Sequence, residues 1–366
     1  MTDHLQHYTI TITAEGPLFI GSGQSIGKKE YLFDPRRKRV SIPDMPKLCR
    51  FLQERRLMNA YESFMIDRTK GAIDLTAWLR SQNIQEQECQ PWIAYSIDSG
   101  DTVFEDRGKK EIVAFVKDPF GCPYVPGSSL KGALRTVLLS DAVLDHPQQF
   151  QNEQQAIQRA ELFGGRQKML KREIDQLEQK AFYTLGRDEK NRRNAVNDML
   201  SGLRIGDSAP LSVEDLTLCQ KIDVLPDGQQ RRLPILRECL KPGTVLRFPL
   251  TIDPKFFPHS PKGLLQAAEE FVQNYDRCYL RAFPVDDIMG GGNLYLGGGS
   301  GFVSKTVLYP LLGERGLRRT SEILAQQFRN HKHNQDIRRG VSPRTLKCTK
   351  YQNRLYEMGA CTMEIE

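Results

Sequence analysis

Long apolar runs are missing from this 366-residue chain. None approaches the roughly 18 residues that a membrane-spanning helix needs. The opening, MTDHLQHYTITITAEG, is polar and then alternating, unlike the apolar core of a secretory leader. These absences point to a soluble cytoplasmic protein with no membrane partner. Paired cysteines are missing as well. Cys49, Cys89, Cys122, Cys219, Cys239, Cys278, Cys348 and Cys361 are scattered, the closest two 13 positions apart, without a CxxC knuckle or zinc-ribbon spacing. Most adjoin apolar residues, where a free thiol behaves as a small hydrophobe. Reduced thiols are expected, with no metal and no cofactor.

Catalytic signatures are equally scarce. The six histidines (His4, His7, His146, His259, His331, His333) form no HExxH pattern, and His331 and His333 sit in the basic run RNHKHNQDIRR, which reads as a solvated face. There is no GxSxG elbow and no acidic cluster of the two-metal nuclease kind. Gly127–Gly132 has GxxxxG spacing, but Ala133 follows where a nucleotide-binding loop needs Lys. Gly21–Lys29, GSGQSIGKK, lacks the right spacing and the terminal hydroxyl, so ATP and NAD binding are excluded. A metal-free ribonuclease needs only one or two acid–base groups, which spacing does not exclude.

What is present is a chain able to bury a core, with 39% hydrophobic and 27% charged residues. Its 52 Lys and Arg against 45 Asp and Glu give +7, an excess that permits a polyanionic partner. Alternation predicts a strand at Tyr8–Glu15, then a glycine turn at Gly21–Gly23 and a hairpin from Tyr31–Phe33 and Val40–Ile42. Pro46–Arg80 reads as helical and Glu111–Lys117 as a strand; a helix opens at Leu130 and runs to about Leu144. Residues 148–199 read as a charged, solvated helical insertion. Strands are expected at Gly202–Asp207, Leu216–Val224, Pro234–Leu240, Thr244–Asp253 and Ala360–Glu366, with helices at Pro261–Arg281 and Ser321–Arg339. Strands separated by helices without a regular βαβ repeat favour an α+β fold of split βαβ type.

Two segments stand out. In Pro126–Leu139, PGSSLKGALRTVLL, residues Leu130, Ala133, Leu134, Val137 and Leu138 form one amphipathic stripe. Lys131 and Arg135 fall off it, on one face expected to be exposed. Ser128 or Ser129 can cap the helix, Gly127 and Gly132 permit close backbone approach, and a helix start with free N–H groups suits phosphate oxygens. An ordinary capped surface helix has the same pattern. The second segment, Gly290–Gly301, holds seven glycines in 12 positions. Bare backbone is useful against a nucleic-acid chain, with Asn293 as a polar contact and Tyr295 as a stacking face; a flexible hairpin tip is the alternative.

VPGSSLKGALRTVLL together with the late glycine loop resembles the RAMP superfamily of CRISPR RNA-binding proteins. LFIGSG at 18–23, SGLRIGDSAP at 201–210, ILRECLKPGTVLRFPLTID at 235–253 and LGGGSGF at 296–302 extend the resemblance over most of the chain. Within the superfamily it is similar to the fifth, single-copy Csm subunit of type III-A systems, which caps the crRNA 3′-side end of the filament. The resemblance implies ferredoxin-like, RRM-type RAMP folding, in two such domains with a helical insertion. The segments expected are 1–145 with an N-terminal core, 146–200 as insertion, and 201–366 with the remaining strands and the glycine-rich loop. It also implies a non-catalytic crRNA-binding subunit that supports crRNA 3′-end maturation in antiviral defence. Its expected partners are crRNA, the neighbouring RAMP backbone subunit, the small helical subunit and host nucleases. The repeated backbone subunit carries a cleaving Asp in its early loop. Here Lys28, Lys29 and Glu30 fall there, and Asp34 comes a few residues late. The RNA-binding residues implied are Gly21, Ser22, Gly23, Lys28, Lys29, Gly127, Ser128, Ser129, Lys131, Arg135, Gly290, Gly291, Gly292, Asn293, Gly297, Gly298 and Gly299. The rival is a metal-independent endoribonuclease that processes the CRISPR precursor.

Overall fold

The computed structural model describes residues 5–69, 73–102, 111–162 and 170–366. His4 and residues 163–169 of the expected insertion lie outside them. Strand β1 (Gln6–Ala14) comes first, with Ile10, Ile12 and Ala14 buried on one face by the period-2 alternation of its sequence. The chain then forms β2 (Gly21–Ile26), β3 (Leu32–Asp34) and β4 (Arg39–Pro43). A helical lobe follows, α1 (Met45–Glu54), α2 (Met58–Ile66), α3 (Leu75–Ser81) and α4 (Glu86–Cys89), closed by β5 (Ile93–Asp98) and β6 (Glu111–Phe115). Helices α5 (Gly127–Asp145), α6 (Gln151–Arg159) and α7 (Lys171–Phe182) lead to β7 (Leu203–Ile205), β8 (Leu216–Val224), β9 (Gln230–Leu240) and β10 (Val245–Ile252). The remainder is α8 (Pro261–Cys278), β11 (Ile288–Met289), β12 (Leu294–Tyr295), α9 (Leu308–Leu312), α10 (Arg315–Gln327), β13 (Leu346–Tyr351), β14 (Arg354–Glu357) and β15 (Ala360–Ile365).

One sheet has the order β12-β15-β1-β10-β7, with every pairing antiparallel. Followed along the chain, β1, α5, β7, β10, α8 and β15 make the β-α-β-β-α-β of a ferredoxin-like unit, and α5 packs beside α8. The expected α+β, ferredoxin-like RAMP fold forms, with its first and last strands as neighbours: Ile10 faces Ile365 across the sheet. The ten-stranded second sheet is assembled from excursions out of this unit: β2–β6, β8–β9, and β11 with β13–β14. Both sheets interleave the segments 1–145 and 201–366.

Three expectations are corrected. The stretch after α5 is not a solvated appendage: Ile157, Leu177 and Phe182 are fully buried in the main core. Leu170, Ile174, Leu177 and Ala181 recur at helical spacing and turn that face inward. The Gly21–Gly23 turn is part of a strand, bulged between Gly21 and Ser25 against β6. The basic run after Ser321 breaks at Phe328 into two 3-10 turns, and in the second His333 is buried with its Nδ1 2.8 Å from the Asp336 carboxylate. Among the described residues no helix is long and apolar enough to cross a membrane.

Burial leaves one titration written into this core. Glu357 on β14 accepts hydrogen bonds from the Tyr275 hydroxyl at 2.8 Å and the Tyr295 hydroxyl at 2.9 Å. Burial outweighs these bonds and raises its carboxyl to about 7. With the folded value above the unfolded one near 4.5, the contribution is full below pH 4.5. It is lost as pH rises through 7, about 3 kcal/mol in all. The melting temperature is therefore expected to fall between pH 4.5 and 7, and Glu357→Gln to flatten that fall. A residual slope remains from Asp141, which burial and then the neighbouring Asp145 and Glu270 raise to about 6.

Candidate nucleic-acid interface

Two of the sequence segments singled out above build each other. A Cβ on Gly127 would run into the Ile205 and Gly206 carbonyls, so only glycine lets α5 start against the end of β7. The Gly127 N–H donates to the Asp207 carboxylate at 2.8 Å, and the Val125 N–H to the Ser208 hydroxyl at 2.9 Å. The helix N-terminus is thus already met by an acidic side chain, where free N–H groups were expected. Neither serine caps it: Pro126 holds the cap position without a side-chain bond, and Ser128 and Ser129 lie in the first turn.

The two cations of α5 are also engaged, which corrects the expected exposed face. Lys131 Nζ donates to the Leu200 and Leu203 carbonyls, both at 2.7 Å. Burial holds its ammonium below the usual lysine value. Arg135 donates through Nε to Glu178 at 2.8 Å and through a terminal nitrogen to Asp198 at 2.9 Å, while its guanidinium stacks over Phe182. These side chains tie α5 to α7 and to the turn before β7.

Other predicted positions are structural as well. Lys29 donates to the Phe64 and Asp67 carbonyls at the end of α2. Glu30 accepts the Gly27 N–H at 2.7 Å, and Asp34 accepts the N–H groups of Arg36 and Arg37 in the hairpin turn. Lys28 is half-buried, and Ser22 donates to the Ala114 carbonyl at 3.1 Å beside the exposed Gly23. Gly290, Gly291 and Gly292 lead onto the sheet, where the Asn293 side chain exchanges both of its hydrogen bonds with the Met363 backbone. Tyr295 is buried against Tyr275 with its hydroxyl on Glu357, so it offers no stacking face.

The second half of the glycine run does converge with the early one. The Gly298 N–H donates to the Phe19 carbonyl at 2.6 Å, and a side chain on Gly297 would collide with that same oxygen. Ile20, Gly21, Ser129, Gly132, Thr136, Gly297, Gly298 and Lys305 consequently line one open groove of about 380 Å³. Of the seventeen predicted positions, Gly21, Ser129, Gly297 and Gly298 meet there.

The cations at this groove were not singled out from sequence. Lys305 is exposed on its rim and Arg237 lies over the Phe19 ring, 5.4 Å from its centroid. Neither has an acidic partner among the described residues. The packing around the Lys305 stem, and then Arg237, hold its ammonium below the ordinary value. Lys221 is lowered too, first by burial and then by Lys347 and Arg237. Lys347 and Lys221 share one carboxylate, Asp223, at 2.9 and 3.8 Å. Gly299 sits against the Arg237 guanidinium and Gly301 against the Lys347 stem. Lys305 and Arg237 without acidic partners, beside bare glycine backbone and the Lys221–Lys347 pair that shares Asp223, are suited to a phosphate chain.

Comparison with known proteins places the chain in a family. A model of the RAMP superfamily matches residues 11–302. A Mycobacterium tuberculosis H37Rv protein named "CRISPR system Cms protein Csm5" is 29% identical, covering all of this chain and 99% of its own. The protein of the same name from Enterococcus italicus is 27% identical, covering 98% and 97%. A chain in the cryo-EM structure of a Csm–crRNA–target RNA ternary complex of a type III-A CRISPR-Cas system has a TM-score of 0.61 at 20% identity, over 98% of this chain and all of that one. The crystal structure of T. onnurineus Csm5 gives 0.62 at 17% identity, over 96% and 99%.

Proposed function

The chain belongs to the RAMP superfamily, and from that premise we propose that it is the non-catalytic, crRNA-binding subunit of a type III-A Csm effector that caps the filament on the crRNA 3′ side. The observation that carries the RNA-binding role is the groove in which the early and late glycine segments and α5 converge beside Lys305 and Arg237. End-to-end similarity to proteins named Csm5 supports the place in the complex. Support for crRNA 3′-end maturation through host nucleases follows from a capping position. The non-catalytic assignment rests on the early loop, where Glu30 and Asp34 are held in turn hydrogen bonds.

The expected result is binding of single-stranded RNA with little sequence preference and a steep loss of affinity as salt rises, because phosphate contacts release counterions. Changing Lys305 and Arg237 together to Ala weakens binding and makes the salt slope shallower by about one and a half to two. Affinity that is flat between 50 and 200 mM salt (about the range in which such contacts are lost) would sink the assignment. Repeat RNA incubated with the chain in EDTA stays intact; a cleavage product that vanishes on substituting Glu30 or His7 would favour the endoribonuclease. A Csm complex assembled without this chain is expected to hold guides with longer, untrimmed 3′ ends.

A further inference from the structure

The basic run after α10 plays no part in the groove, whose lining includes none of its residues. It folds as two 3-10 turns, Arg329–His331 and His333–Arg339, and buried groups hold both from beneath. Arg344 donates to the His331 carbonyl at 2.7 Å and the Lys332 carbonyl at 3.3 Å, and reaches the Asp336 carboxylate at 3.6 Å. The Ser342 hydroxyl donates to that carboxylate at 2.9 Å, and the Ser321 hydroxyl to the His333 carbonyl at 2.7 Å. Asp336 is the only acidic residue between Phe328 and Gly340, and it is wholly buried. The outward surface is left to Arg329, Lys332, Arg338 and Arg339, all exposed and without an acidic partner among the described residues. Ile337 lies among them, 47% exposed.

We propose that this lobe docks a protein partner through an acidic segment that carries an aliphatic side chain. The aliphatic group packs on Ile337, and the carboxylates on either side of it pair with the surrounding cations. Three of those cations are arginines, whose planar donor forks take carboxylate oxygens two at a time. A phosphate chain would use the same charges but leave Ile337 in water, since an isoleucine gains only by burial against another apolar group. Arginines around an apolar residue are the composition of a protein interface. Because hydrogen bonds from buried groups already fix both turns, docking orders little further backbone. The inference goes beyond the RNA-binding reading and uses none of its residues.

The test uses the full chain and three fluorescein-labelled probes. One is a synthetic helical peptide of glutamate with leucine along one face, the second has serine in place of leucine, and the third is an oligouridylate of equal charge. Anisotropy is expected to show the leucine peptide binding on the order of tenfold more tightly than the serine peptide, the worth of about one aliphatic side chain partly buried. Ile337→Ser is expected to erase that preference. Arg338→Gln with Arg339→Gln is expected to weaken the leucine peptide several-fold and leave oligouridylate affinity at the parental value. None of these three side chains bonds to the rest of the described fold, so each variant keeps the parental melting temperature. Changing Lys305 and Arg237 to Ala reverses the pattern, with oligouridylate lost and the peptide retained. Equal binding of the two peptides by the parent, binding of neither, or a leucine preference that survives Ile337→Ser overturns the proposal. Loss of oligouridylate instead of peptide from the arginine variant also overturns it, and makes the lobe a phosphate contact.

Discussion

The Glu238→Ala chain is expected to melt about 5 °C below the parent. Glu238 on β9 is wholly buried and accepts three hydrogen bonds: from the Tyr95 hydroxyl at 2.7 Å, the Phe115 N–H at 2.9 Å and the Lys117 ammonium. It thereby joins β5, β6 and β9 at one point of the second sheet. Removing it strands a nearly buried ammonium and a buried backbone donor, and breaking a buried pair costs about 3–5 kcal/mol. Burial, and then the Glu238 charge, raise the Tyr95 hydroxyl above its ordinary range, so that hydroxyl remains a donor.

Charge and hydrogen bonding at this joint are separable. Glu238→Gln keeps an acceptor for Phe115 but leaves Lys117 without its counter-charge. Adding Lys117→Met removes the ammonium, and replacing both members of a buried pair is often neutral. The double variant is expected to recover most of the melting temperature lost by Glu238→Gln. No recovery would mean that the hydrogen bonds, rather than the unpaired charge, carry the cost. Scanning calorimetry on the three chains decides it.

Alternation and helical stripes made much of the fold legible. YTITITA predicts β1 because every second residue is buried. The Leu130–Leu138 stripe predicts α5, and α8 shows Ser260 at its cap and Pro261 in its first turn. What stayed hidden lacked a local signal. The β13–β14 hairpin turns on Gln352 and Asn353, both at positive φ, where a glycine would have marked it. Strand β2 is written in Gly and Ser and pairs irregularly, so it reads as a turn. At the site, Gly127 and Gly297 sit where another backbone of the chain comes close, whereas Gly132 has open space beside it. Cations were harder, because sequence shows that a lysine lies off an apolar stripe but not what occupies the space beside it. Lys131 and Arg135 meet the turn before β7 and helix α7, some 40 to 70 positions away. Arg237 and Lys305 come together only when β9 and the glycine loop meet over Phe19.

This difference makes the paired substitution of Lys131 and Arg135 by Ala a stability experiment before it is an RNA-binding one. From the stripe alone, both side chains should be removable with little effect on folding. In the structure, Lys131→Ala leaves the Leu200 and Leu203 carbonyls without their donor, and Arg135→Ala leaves Glu178 and Asp198 without their cation. Hydrogen bonds to charged groups contribute about 1.5–3 kcal/mol each way. Because Arg135 and its partners are only partly buried, the double variant should lose about 3–5 kcal/mol. That is a large share of the roughly 5–15 kcal/mol that holds a folded domain together. Substituting Lys305 and Arg237 instead should leave the melting temperature almost unchanged, since neither has an acidic partner among the described residues, while RNA affinity and its salt slope fall. The two double variants therefore dissociate folding from binding. If the α5 pair instead keeps its melting temperature and loses RNA, the strand runs along α5, and the phosphate contacts belong to that helix rather than to the glycine-loop cations.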